Sequence, residues 1–149
     1  MSAKTNIRVL LGKVGLCTHE AGVKLIAVGL RDAGMEIIYT GVFQQKENIA
    51  RIALEEDVDV VGLSFLNGGH QALTLGVVNA LKAVGCGDIP VIVGGVIPKA
   101  DIEPLRSIGV AGIYGPGTRI DHIANDIREI VRSHVKQGNN YLASNAPTV

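Results

Sequence analysis

Val58-Asp59-Val60-Val61-Gly62-Leu63-Ser64-Phe65-Leu66-Asn67-Gly68-Gly69 is a short, nearly continuous apolar run that ends on a hydroxyl and then breaks into glycines. A run of this length, rich in Val and Leu and bounded by turn residues, reads as a strand over Val58 to Leu63 that is buried on both faces, the habit of parallel sheets. Four more runs of the same kind flank it: Ile7 to Leu11, Glu36 to Tyr39, Val91 to Val93 and Gly112 to Tyr114. Longer amphipathic stretches separate them. Val23 to Ala33 arranges Leu25, Ile26, Val28, Gly29 and Leu30 around an apolar stripe, and Ile49 to Glu55 does so with Ile49, Ile52 and Ala53. Gly34, Gly85 and Gly109 follow the first, third and fourth helices as left-handed C-caps.

Strict alternation of strand and helix is the signature of a parallel α/β sheet. Five strands and five helices predict a flavodoxin-like, doubly wound sheet in the order 2-1-3-4-5, with ligands outside the carboxyl ends of the strands, where strands one and three meet. The last helix is expected from about Ile120 to Lys136, with Asp121 near its start and Arg132, His134 and Lys136 near its end to suit the macrodipole. Residues 1–136 are therefore expected to form one domain, and 137–149, polar and aperiodic, a flexible tail or an arm that docks on a partner.

Composition narrows the function. The chain of 149 residues is long enough for one core and is 47% apolar but only 3% aromatic, so aliphatic side chains must build that core. Fourteen basic residues balance fourteen acidic ones, which gives no footprint for nucleic acid or an anionic membrane. The apolar runs are too short to span a bilayer, and the N-terminus lacks a signal-peptide core, so a cytoplasmic protein is expected. Cys17 and Cys86 read as free thiols in a reducing compartment.

The unusual residues gather at the expected binding edge. Eleven residues, Gly12 to Gly22, separate the first strand from the return of helical periodicity at Val23, whereas such loops usually take about two to six. Within it His19 has no second His at i+4 and no CxxC nearby, so zinc spacing is absent. Taken alone, a loop His is more often an exposed bystander than a ligand. Ser64 ends the third strand ahead of Gly68 and Gly69, and Gly94-Gly95 interrupts the fourth with two residues that lack side chains, leaving room for close approach by a ligand or backbone. Tyr114-Gly115-Pro116-Gly117-Thr118 follows the fifth. Neither a GxxxxGK[ST] nor a GxGxxG run follows the first strand, which argues against nucleotide hydrolysis and dinucleotide binding.

Together, His19-x-x-Gly22, Ser64-x-Leu66, Gly94-Gly95 and Tyr114-Gly-Pro-Gly-Thr118 resemble the cobalamin-binding domain of the adenosylcobalamin-dependent acyl-CoA mutases, the methylmalonyl-CoA mutase group and its relatives. The resemblance covers about Ile7 to Val131, and its intervals from Gly22 to Ser64 and from Leu66 to Gly94 fit the family's layout. It implies a cobalamin whose own base is detached from cobalt, with His19 as the lower axial ligand and Thr18, Glu20, Ala21 and Gly22 beside it. It implies too that the detached nucleotide tail enters a groove lined by Gly62, Ser64, Leu66, Gly94, Gly95, Tyr114 and Thr118, with Ile26 on the opposite wall and Gly68, Gly69, Gly115 and Gly117 around the rim.

The chain departs from the family's pattern at one place. The family's Asp, two residues before the ligating His, falls on Cys17, whereas its upstream Lys falls on Lys13. A metal-ligating His normally donates its other ring N–H to a carboxylate, carbonyl or water. Here that partner is either a Cys17 thiolate favoured by Lys13, or a water or backbone carbonyl beside a neutral thiol. His70 is expected to face solvent or a partner rather than a metal, and His122 and His134 to be solvated on the last helix.

By the same resemblance the chain is the cofactor-bearing small subunit of an isomerase, and carries no catalytic residue beyond the axial ligand. A separate large subunit would hold the acyl-CoA, and cobalt–carbon homolysis would start a carbon-skeleton rearrangement. Two alternatives remain: a corrinoid methyl-carrier protein, and a regulatory module that binds cobalamin weakly. Only six residues precede the first expected strand, which leaves no space for the helical cap of the methyl carriers and favours the mutase subunit.

Overall fold

The computed structural model describes residues 6–15, 20–65 and 69–144, of which 135–144 are described by backbone alone. Strands β1 (Arg8–Gly12), β2 (Glu36–Tyr39), β3 (Val60–Phe65), β4 (Val91–Gly95) and β5 (Gly112–Tyr114) alternate with helices α1 (Ala21–Asp32), α2 (Lys46–Glu55), α3 (His70–Ala83), α4 (Lys99–Ile108) and α5 (Ile120–Ser144). All strand pairs are parallel, in the order β2-β1-β3-β4-β5. The expected fold is the observed one.

The strand boundaries moved by a residue or two, and the last helix by more. β3 starts at Val60 and runs to Phe65, because Asp59 is drawn into the end of β1: its carboxylate accepts from the Arg8 N–H at 2.8 Å, and its own N–H donates to the Arg8 carbonyl. β4 continues through Gly94 and Gly95, which pair with Ser64 and Phe65. α5 runs past Lys136 to Ser144. Residues 137–144, expected from their polar and aperiodic sequence to belong to the tail, continue the helix, since such local signals are a weak prior once a long helix is under way. Gly34, Gly85 and Gly109 all have the positive φ expected of them.

The core is divided by the sheet. On one face Leu10, Val61, Leu63, Phe65, Val91 and Val93 pack against Ile49 and Ala53 of α2, Val77 and Leu81 of α3 and Leu105 of α4. On the other, Val9, Leu11, Val60, Ile92 and Tyr114 pack against Val23, Ala27 and Leu30 of α1 and Ile123, Ala124 and Ile127 of α5. Because side chains alternate along a strand, these two sets are interleaved. The first face remains packed to the carboxyl end of β3, where Phe65 is 2% exposed. The second does not, and that difference creates the site.

Candidate functional site

On the α1/α5 face, β3 presents Val60, Gly62 and Ser64 in turn, and β4 presents Ile92 and Gly94. Register aligns the small residues: Gly62 lies between Leu11 and Ile92, and Ser64 pairs with Gly94, which pairs with Tyr114. On β3 and β4, large side chains thus cover the amino-terminal half of this face, and the carboxyl half is bare between Leu11 and Tyr114. Helices held off by Val60 and Ile92 cannot collapse onto it. The result is an elongated groove of about 680 Å³, within the range of small-molecule sites.

One wall is α1, through Ala21, Gly22, Leu25 and Ile26; the other is the β5–α5 loop with Gly115, Gly117 and Thr118, continued by Ile120 and Ile123 of α5. The two helices converge at Gly29. A Cβ there would lie 2.5 Å from Ile120 Cγ2, so only glycine lets α5 close the end of the groove. Thr118 Oγ1 donates to the Gly115 carbonyl at 2.7 Å and holds the loop in a tight turn. Tyr114 is 8% exposed, and its hydroxyl donates to Asp126 Oδ2 at 3.1 Å. Burial, and next the Asp126 charge, push this phenol well above the ordinary tyrosine range.

The paired glycines have separate reasons. A Cβ on Gly94 would meet only the Tyr114 carbonyl oxygen, at 3.6 Å, an ordinary contact, so a side chain there would project into the groove. A Cβ on Gly95, where φ is +117°, would lie 1.8 Å from the Phe65 carbonyl oxygen. Gly94 keeps the groove open. Gly95 permits β3 and β4 to approach, and although it borders the groove its necessity is internal.

A polar cluster stands at the mouth. Lys13, at the exit of β1, is 1% exposed and borders the groove. Glu20, which precedes α1, accepts a hydrogen bond from the Tyr39 hydroxyl at 2.5 Å and pairs with Lys24 Nζ at 3.3 Å. Tyr39's hydrogen bond holds this carboxyl below its usual range, with Lys24 next and the Lys13 charge adding to them. Burial, then the hydrogen bond and charge of Glu20, push the Tyr39 phenol up to about 12. Glu20 therefore faces β2 and does not line the groove.

Of the residues singled out in the sequence, Lys13, Ala21, Gly22, Ile26, Gly62 and Ser64 border the groove, as do Gly94, Gly95, Tyr114, Gly115, Gly117 and Thr118. Gly69 does not; it is the left-handed residue before α3. Cys17, Thr18, His19, Leu66 and Gly68 lie outside the described residues. The expectation that His70 faces outward is wrong: its side chain is 3% exposed and makes polar contacts with Val96 and Asp101. His122 is mostly exposed, and His134 bonds through Nδ1 to the Ile130 carbonyl at 3.0 Å. The sequence reading missed Leu11, Leu25, Val96 and the Ile120 and Ile123 pair. Periodicity marked α5 as amphipathic, but nothing local said which strand rows it would face. Among the described residues no group of three or more His, Cys, Asp or Glu could hold a metal, and no helix is long and apolar enough to cross a membrane.

A bare apolar slot whose floor a single Cβ at position 94 would occupy suits a flat organic group, so the residues present fit the tail of a large cofactor. Comparisons with known proteins give the family. The chain is 42% identical over 128 residues to the 2-hydroxyisobutanoyl-CoA mutase small subunit of Aquincola tertiaricarbonis, covering 86% of this chain and 94% of that one. It is 37% identical over 140 residues to the pivalyl-CoA mutase small subunit of Xanthobacter autotrophicus, covering 93% and 94%. Against the methylmalonyl-CoA mutase of Escherichia coli identity is 42% over 127 residues, but these are only 18% of that longer protein. In fold, a cobalamin-binding protein from Desulfitobacterium hafniense superposes with a TM-score of 0.69 at 22% identity, over 86% of this chain and 59% of that one. The NarL receiver domain of Mycobacterium tuberculosis does so at 0.65 with 15% identity, over 85% and 97%, which speaks for the fold alone. The family model for the B12 binding domain matches residues 7–124, and the chain belongs to that family.

Proposed function

We propose that this chain is the cobalamin-bearing small subunit of an acyl-CoA mutase, and that it carries adenosylcobalamin with the cofactor's own base displaced into the groove and His19 as the lower axial ligand. The observation that carries this reading is the bare carboxyl half of the α1/α5 face, where Gly62, Ser64 and Gly94 line a slot opening toward the loop after β1. Both small-subunit relatives match this chain over nearly their whole length, which supports a cofactor-bearing role like theirs.

In this reading the chain's residues bind and orient. The groove takes the nucleotide tail, α1 and the β5–α5 loop exclude water from it, and Tyr39 fixes Glu20 and with it the start of α1 next to His19. Adenosylcobalamin, when bound, supplies radical chemistry for a carbon-skeleton rearrangement. The acyl-CoA belongs on a large partner subunit. Lys13, buried at the exit of β1, borders the same groove, and Cys17 stands where the family carries Asp.

The test is an absorbance titration with adenosylcobalamin. Wild type should give the spectrum of a cofactor with its base displaced, and His19→Ala should lose that signature. Identical spectra for free and protein-mixed cofactor would overturn the proposal. Cys17→Asp, which restores the family's carboxylate, should tighten binding by about 10-fold if outer-sphere support of the imidazole is what the chain lacks.

A further inference from the structure

We infer that His70 is a positioning residue for the groove: from beneath, it fixes the Gly95-Val96 rim against which the cofactor's tail would lie. This rests on the reading of the groove as the tail's site. Val96 is the first residue beyond β4, borders the groove and is 47% exposed. Both polar groups of its backbone are held from outside its own strand. Its N–H donates to the Phe65 carbonyl at 3.0 Å, and its carbonyl lies 3.0 Å from His70 Nε2. A carbonyl oxygen only accepts, so that nitrogen carries the hydrogen.

The imidazole is itself fixed on every side. Nδ1 faces Asp101 Oδ2 at 3.4 Å, and the other oxygen of Asp101 accepts from Gln71 Nε2 at 2.8 Å. The ring lies tilted against Phe65, with centroids 5.1 Å apart. Gly69, left-handed at φ +92°, turns the chain so that α3 begins with this residue. One buried ring thus joins β3, α3, α4 and the residue that follows β4 at the groove. A packing role needs only the ring; a positioning role needs the bond to Val96. That distinction can be measured.

The probes are cobalamin and cobinamide, the corrinoid that lacks the nucleotide tail, each titrated against the full chain, with urea denaturation as a check on folding. His70→Phe keeps an aromatic ring beside Phe65 but cannot donate. It should weaken cobalamin binding by about 10-fold, the scale of one lost hydrogen bond, and leave cobinamide affinity unchanged. His70→Gln, which restores a donor, should recover most of the cobalamin affinity. Equal losses for the two corrinoids, or no loss for either, overturn the inference. Wild-type protein that binds neither overturns the groove reading together with it, a result distinct from wild-type binding with an unchanged ratio. Should His70→Phe not fold, Asp101→Ala decides: a smaller shift of the same ratio supports the positioning role, and an unchanged ratio overturns it.

Discussion

The two faces of this sheet share one backbone, one register and one set of strands, yet one is sealed and the other has a groove. On the α2/α3/α4 face, β3 presents Val61, Leu63 and Phe65; on the α1/α5 face it presents Val60, Gly62 and Ser64. On β3 the difference is two side chains, with Gly62 and Ser64 on the open face where the other face has Leu63 and Phe65. Parallel α/β sheets bind ligands at their carboxyl edge as a matter of topology, but a ligand can enter beneath that edge only where alternate residues shrink. The volume that a sealed face devotes to packing is, on the open face, available for binding.

Several substitutions would break or sharpen that contrast. The largest effects belong to the sealed face. Gly95→Ala, which would place a Cβ 1.8 Å from the Phe65 carbonyl at positive φ, should cost about 3 kcal/mol or more in urea unfolding. Leu81→Ala, on a side chain 1% exposed, should cost about 2–5 kcal/mol by the same measurement. Loss of less than about 1 kcal/mol in either would mean that this face is not the sealed one.

The open face should reverse the pattern. Gly94→Leu meets no backbone obstacle, so stability should change by less than about 1 kcal/mol, whereas cobalamin affinity should fall by about 100-fold as the new side chain occupies the slot. Affinity that survives this change would place the tail elsewhere. Tyr114→Phe removes one buried hydrogen bond to Asp126 and should cost about 1 kcal/mol.

The smallest effect is at the mouth and concerns proton binding. Tyr39's phenol is raised to about 12 by burial and by Glu20, so its contribution to stability is complete below the unfolded value near 10 and is lost as pH climbs through 12. Glu20, held low by Tyr39, acts in the opposite sense: its contribution is present above the ordinary glutamate range and is lost as acid protonates the folded carboxylate. Glu20→Gln should lower the Tyr39 transition in an ultraviolet phenolate titration, though not to the ordinary value, because burial remains. A transition that does not move would show that Glu20 does not influence the phenol.

Much of the site was legible because its signals are local. Gly94-Gly95 reads as a gap in any strand, and the long stretch from Gly12 to Gly22 reads as an extended loop whatever it faces. His70 was misread because a His after two glycines at a helix start carries no local sign of burial; its partners, Val96 and Asp101, come from a different crossover. Nothing local marks Lys13 as buried either, yet it is 1% exposed where it borders the groove.

The amino-acid sequence alone determined the alternation of strands and helices, hence the sheet and its binding edge, because turn residues and apolar period act over a few neighbours. It also determined where side chains are missing. Only the tertiary structure decided what each gap is for: that Gly94 opens a groove while Gly95 admits a neighbouring strand, that Gly29 lets two helices meet, and that one imidazole supports the rim. Those outcomes depend on strand register and helix approach, which bring together residues far apart along the chain, and no local preference encodes such distances.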